Sequence, residues 1–83
     1  MVDSGIITMI DKSNNVIGDF ELPLKIPAKE LEKKLIALLK AMNSDVYVGL
    51  DGLKIEYKGK ILEGEETLYQ NAIWDGSIIK LEY

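Results

Sequence analysis

The charged side chains of this chain are carboxylates and amines alone, fourteen Asp and Glu against ten lysines, with no histidine, cysteine or arginine among the 83 residues. Without histidine the usual general base and the commonest metal ligand are gone. Without cysteine there is no thiol nucleophile, thiolate metal site or disulfide. Asp45 and Asp51 lie close in sequence, but they lack the alternating oxygens and closing Glu of a calcium loop. Glu63, Glu65 and Glu66 form an acidic turn that could face a basic partner, yet no carboxylate sits beside a nucleophile or a cleft motif. These residue types point away from an enzyme, a metal centre and a cofactor, and toward recognition by surface charge. A net charge of −4 with no guanidinium forks also opposes nucleic-acid binding.

The elements that must position those charges form one domain, residues 1–83, with a single small core burying about 60–65% of the unfolded chain's surface. A composition 47% hydrophobic and 29% charged is that of a soluble globular protein rather than a disordered one. No apolar run approaches the ~18 residues that read as a membrane-spanning helix, and MVDSG lacks the basic and apolar parts of a leader. A cytoplasmic protein with no direct membrane insertion is expected.

Residues 6–11, IITMID, are β-branched and read as a strand, and KSNN after them is turn chemistry. In the next segment Phe20, Leu22 and Leu24 alternate with Asp19, Glu21 and Pro23, the period of a strand with one wet face. The two strands form a hairpin. Ile6, Ile7, Met9 and Ile10 put apolar side chains on both faces of the first strand. One face must be core. The other is either a partly covered outer face or a surface for a partner, with a homodimer through this strand as one form of it.

Pro27 is expected at the first position of a helix whose Leu31, Leu35, Leu38, Leu39 and Met42 form one apolar stripe, with Lys29, Lys33, Lys34 and Lys40 on the solvated side. Residues 45–52 read as a connection, strand-like in part. Leu53, Ile55 and Tyr57 alternate with Lys54, Glu56 and Lys58 in a third strand. Gly59 and Lys60 turn into a short strand at Ile61 and Leu62. Thr67 caps a helical turn in LYQNA, and Asp75-Gly76 turns the chain into a last strand, where Ile79, Leu81 and Tyr83 alternate with Lys80 and Glu82.

A hairpin, one amphipathic helix, two strands, a short turn and a last strand make an α+β layout of the β-grasp type. In it a mixed sheet of four to five strands has the helix on one face and the first and last strands parallel at its centre. From the helix onward the sequence resembles ubiquitin. Tyr57-Lys58-Gly59-Lys60-Ile61-Leu62 looks like that family's strand, Gly-Lys turn and short strand; Glu65-Glu66-Thr67-Leu68 and Asn71-Ala72-Ile73 look like its Thr-Leu turn and approach to the final strand. The match puts Phe20, Leu22, Leu31, Leu35, Ile55, Leu62, Leu68, Ile73, Ile79 and Leu81 in the core.

Two departures bear on function. The resembling family's conjugated members end in Gly-Gly, whereas this sequence ends at Glu82-Tyr83. The positions of ubiquitin's apolar recognition patch hold Glu56, Lys80 and Glu82, so a receptor for that patch would meet unpaired charge.

Over nearly the whole chain the sequence resembles the YukD-like (EsaB-like) ubiquitin-fold proteins of bacterial type VII secretion systems. It shares their length, the Asn-containing turn, Leu22-Pro23 shortly before Ile26-Pro27, and the ending Ile73-Trp74-Asp75-Gly76-Ser77-Ile78-Ile79-Lys80-Leu81, with Ser77 for the usual Asp. The resemblance implies a non-conjugated accessory or regulatory protein, in the cytoplasm or held by partners at the cytoplasmic face of the membrane. Its partners would be the membrane ATPase or other membrane components of the system. A generic β-grasp interaction module with an unrelated cytosolic partner is the alternative. If the function is docking, the sheet face away from the helix is the first candidate, with Lys54, Glu56, Lys58, Ile78, Lys80 and Glu82 on it. Trp74 is read as the plug of a satellite core, the alternative being an exposed anchor.

Overall fold

A computed structural model of the protein describes residues 3–83. The first two residues of the MVDSG segment, read above for a leader, lie outside the described residues. The elements run β1 (Ser4–Ile10), β2 (Val16–Pro23), α1 (Ala28–Met42), β3 (Lys54–Tyr57), β4 (Lys60–Leu62), a 3-10 turn (Tyr69–Asn71) and β5 (Ile78–Glu82). The strands form one sheet in the order β2-β1-β5-β3-β4. Here β1 and β5 are parallel, and the other neighbours are antiparallel. The expected β-grasp layout is present, because one apolar helix stripe and one apolar sheet face can only satisfy each other.

The ambiguous first strand resolves by pleat. Gly5, Ile7 and Met9 point into the core and Ile6, Thr8 and Ile10 point out, since successive side chains of a strand alternate faces. The hairpin turn is organised by Asp11, whose carboxylate accepts from the amides of Ser13 and Asn15 at 2.8 and 2.9 Å. That removes Asp11 from the strand in which it was expected. Asn14 takes the left-handed conformation there at φ 67°, which Asn tolerates well.

Helix α1 begins one residue later than expected. Pro27 is extended (ψ 147°) and Ala28 is the first helical residue. The amides that a helix leaves unpaired at its start are met from outside: Ala28 donates to the Glu66 carbonyl at 2.6 Å and Lys29 to that of Gly64 at 3.1 Å. The acidic turn is thus a clasp on the helix end, and Lys29 pairs with Glu65 across it. Leu31, Leu35 and Leu39 are buried, Leu38 partly so, whereas Met42, expected on the stripe, is 46% exposed as the last residue of the helix.

Of the ten core residues that the ubiquitin match implies, all but Phe20 are buried. Its ring is only partly covered and lies over Gly18, where a Cβ would stand 2.9 Å from the ring carbons. Ile7, Met9, Leu24, Ala28, Leu39 and Leu53 complete the core. Residues 45–52 hold turns and no strand; Tyr47 and Leu50 pack on the core while Val46 and Val48 face solvent. Lys60, expected in a turn, opens β4 opposite Tyr57. Thr67 acts as expected. Its hydroxyl accepts from the Gln70 amide and the Gln70 side chain accepts from the Thr67 amide, both at 3.1 Å, the reciprocal pairing of a capping box.

Candidate protein-docking face

The sheet face away from α1 carries most of the residues singled out from the sequence. In the register of β3 and β5, Lys54 lies opposite Glu82 and Glu56 opposite Lys80. All four side chains point outward, because the alternate residues Ile55, Ile79 and Leu81 fill the core. The result is a two-by-two lattice of alternating charge on adjacent strands, an arrangement that favours opposite signs directly across. Among the described residues the ion pairs within 4.0 Å are Lys25–Asp3, Lys29–Glu65 and Lys60–Glu66, so none of the four lattice charges is held by a close partner.

Ile78 and Lys58 lie one outward step along from that lattice, beside an open recess lined by Tyr57, Lys58, Trp74, Ile78 and the Asp75–Ser77 turn. Trp74 is 51% exposed, which corrects the expectation of a core plug. The buried neighbour Ile73 takes the core position, and the turn that follows swings the indole out: the Trp74 amide donates to the Ser77 hydroxyl at 3.1 Å, and the Ser77 amide returns to the Trp74 carbonyl at 2.9 Å. Gly76 supplies the positive φ, 91°, that closes this turn. The exposed indole meets Tyr69 edge-on with centroids 6.4 Å apart, and the Lys25 ammonium stands 4.9 Å over the Tyr69 ring. On the other side of the recess the Lys58 ammonium is 5.3 Å from the centroid of Tyr57.

The structure therefore divides the predicted site in two. Lys54, Glu56, Lys80 and Glu82 form the lattice; Lys58, Trp74 and Ile78 meet at the recess. Ile6, one of the four apolar residues that left the first strand ambiguous, is 48% exposed on the same outer face; sequence reasoning missed Tyr57, which was assigned to the core side alone. Tyr57 is the last residue of its strand, where the pleat gives way to the Lys58-Gly59 turn and a long ring can reach the rim. Tyr69 was missed as well, and its place two residues after the Thr67 cap was the available signal.

Titration shifts lie away from this face. The Glu66 carboxyl is held below its ordinary value by the Lys60 ammonium, 2.7 Å away, and by the Glu63 amide. The Lys29 ammonium is raised by Glu65. Burial, aided by Tyr47, pushes the Tyr83 phenol up to about 12. No cluster of three potential metal ligands occurs among the described residues, and no helix there is long and apolar enough to cross a membrane.

No family model matches the chain, and no curated protein matches it significantly. Solved structures do. The ubiquitin-like domain of the type VII secretion system protein EccD1 of Mycobacterium tuberculosis superimposes with a TM-score of 0.74 at 17% identity, covering all of both chains. The ubiquitin-like domain of EccD5 from Mycobacterium xenopi gives 0.74 at 14% identity, over 98% of this chain and 94% of that one. The ubiquitin-like domain of yeast Ddi1 gives 0.64 at 17%, over 99% and 91%. The protein is a ubiquitin-like β-grasp domain, an architecture it shares end to end with domains of type VII secretion proteins.

Proposed function

We propose that this protein is a non-conjugated, ubiquitin-like accessory module of a type VII secretion system, acting by docking on a membrane component from the cytoplasmic side. The observation that carries the reading is the lattice of Lys54, Glu56, Lys80 and Glu82 on the outer sheet face. It stands where the resembling ubiquitin family has its apolar patch, and it selects a partner by charge complementarity. The end-to-end likeness to the EccD1 and EccD5 domains supports the secretion context. Trp74 and the recess beside it supply the apolar anchor that such a polar face lacks. The chain works by binding, with no catalytic residue assigned. A generic interaction module with another cytosolic client is the second reading, favoured by likeness to ubiquitin-like domains outside secretion, such as that of Ddi1.

The test is cross-linked capture of membrane components by tagged protein, with charge variants in parallel. Reversing Lys54 and Lys80 alone would set like charges across the strands. The informative variant therefore exchanges both pairs, Lys54→Glu with Glu82→Lys and Lys80→Glu with Glu56→Lys, which keeps cross-strand complementarity. Recovery of type VII membrane components by the native protein, lost in the exchanged variant, is the expected result. Capture that is indifferent to the exchange removes this face, and capture of an unrelated cytosolic client favours the second reading.

A further inference from the structure

Two aspartates of the chain, Asp51 and Asp75, are followed by glycine. An Asp-Gly step carries a reaction of its own, because glycine has no Cβ to shield its amide nitrogen from the carboxyl group before it. That nitrogen attacks the carbon of the neutral carboxyl. A C–N bond forms, the C–OH bond breaks, and the amide proton leaves with the hydroxyl as water. Water then opens the resulting cyclic imide at either carbonyl. Opening at the side-chain carbonyl restores aspartate; opening at the backbone carbonyl gives isoaspartate, in which the main chain runs through the former side chain. No co-reactant besides water is needed.

The fold holds the two steps differently, although both are exposed. At Asp75 both reacting groups are engaged by one residue: the carboxylate accepts from the Ile6 amide at 2.8 Å, and the Gly76 amide donates to the Ile6 carbonyl at 2.9 Å. Strand β1 also lies against the backbone here, since a Cβ on Gly5 would stand 2.8 Å from the Asp75 nitrogen. The carboxyl must swing off Ile6 and the amide must leave it before the ring can close. Asp51 and Gly52 lie ahead of β3, outside any helix or strand. Among the described residues the Asp51 carboxylate has no hydrogen-bond or ion-pair partner, and the Gly52 amide donates to none. The space around Gly52 is open.

We infer that Asp51-Gly52 is a site of spontaneous covalent modification, where the folded protein forms isoaspartate while the same dipeptide at Asp75-Gly76 is kept intact by its two bonds to Ile6. The change adds one carbon to the main chain between Leu50, which packs on the core, and the buried Leu53. It leaves the net charge as it was. The inference does not rest on the docking reading, because Asp51 and Gly52 belong neither to the charge lattice nor to the recess.

The test incubates the purified protein for weeks near neutral pH, folded and, in parallel, unfolded in urea. Isoaspartate is located by peptide mapping and counted by methyl transfer from labelled S-adenosylmethionine with a protein isoaspartate methyltransferase. The mass stays unchanged, which separates this reaction from deamidation of asparagine. In the folded protein Asp51 should convert about ten-fold or more faster than Asp75, whose hydrogen bonds must open first. In urea the two sites should react to similar extents. Gly52→Ala places a methyl beside the attacking nitrogen in open space, so it should suppress the reaction at Asp51 and leave the fold intact. Absence of isoaspartate at Asp51, comparable conversion of both sites in the folded protein, the same disparity in urea, or undiminished conversion in Gly52→Ala each overturns the inference.

Discussion

The Asp75 carboxylate accepts a hydrogen bond from the backbone amide of Ile6 at 2.8 Å, across 69 residues of sequence. The Gly76 amide returns the contact by donating to the Ile6 carbonyl at 2.9 Å. The turn that leads into the last strand is thereby pinned to the first strand just before their parallel ladder begins. Replacing Asp75 with Ala removes the acceptor and should cost about 1 kcal/mol, lowering Tm by roughly 4–8 °C in a domain of this size. Asn keeps an acceptor oxygen at the same reach, so Asp75→Asn should recover most of the loss. An Asp75→Ala variant as stable as the native protein would show that the contact contributes nothing, and equal losses in the two variants would assign the contribution to the carboxylate charge.

Gly5 is where the same turn comes closest to β1. A Cβ there would stand 2.8 Å from the Asp75 amide nitrogen, a backbone atom that cannot swing aside. Gly5→Ala should destabilise by about 1–3 kcal/mol through overpacking, read as a lower urea midpoint at unchanged slope. Gly52, with open space around it, is the control, and Gly52→Ala should be neutral or slightly stabilising.

Acid stability should depend on Glu66. Its carboxyl is held below the ordinary value of 4.5 by Lys60 and the Glu63 amide. The folded state therefore favours the charged form; the resulting stability is present above that value and is lost as pH falls through the lower folded one. A urea midpoint followed downward from neutrality should fall less steeply in Glu66→Gln than in the native protein. Parallel curves would rule the contact out as a source of acid sensitivity.

At the alkaline end the sign reverses. The Tyr83 phenol, up at about 12 from an ordinary 10.0, favours its neutral form in the folded state. Its contribution is complete below pH 10 and disappears as pH rises through about 12. Tyrosinate absorbance should show a late step near pH 12 that is missing in Tyr83→Phe.

Trp74 is the chain's single tryptophan, so its fluorescence reports one site. Half exposed at the recess, it should emit at a solvent-exposed wavelength and be quenched readily by acrylamide. Trp74→Ala should change stability by less than about 0.5 kcal/mol while weakening capture of the docking partner. A blue-shifted, unquenched emission would return the indole to the core.

Much of this architecture was legible because alternation and helical spacing act over short stretches. Leu22 and Leu24, Leu31 and Leu35, and Ile79 and Leu81 announce their buried sides by neighbours of opposite character. The first strand did not, since Ile6 and Ile7 are chemically alike, and only pairing with β2 and β5 decides which one is core. Trp74 was misplaced for a similar reason. A large aromatic beside buried Ile73 looks like core until the Ser77 and Gly76 turn geometry is known, and that depends on the distant Ile6 backbone. The lattice charges were legible singly, but their pairing across strands was not, because a register is a property of two segments at once.

The parallel ladder between β1 and β5 also sets a timetable. The N-terminal hairpin and α1 can form early, but the centre of the sheet stays open until Ile78–Glu82 is available, and contacts spanning so much of the chain are the slow ones to form. On the ribosome, where domains tend to fold as units and N-terminal segments emerge first, the apolar face of β1 must wait until β5 has emerged. During that interval Ile7 and Met9, fully buried once the sheet closes, are open to chaperones or to other nascent chains.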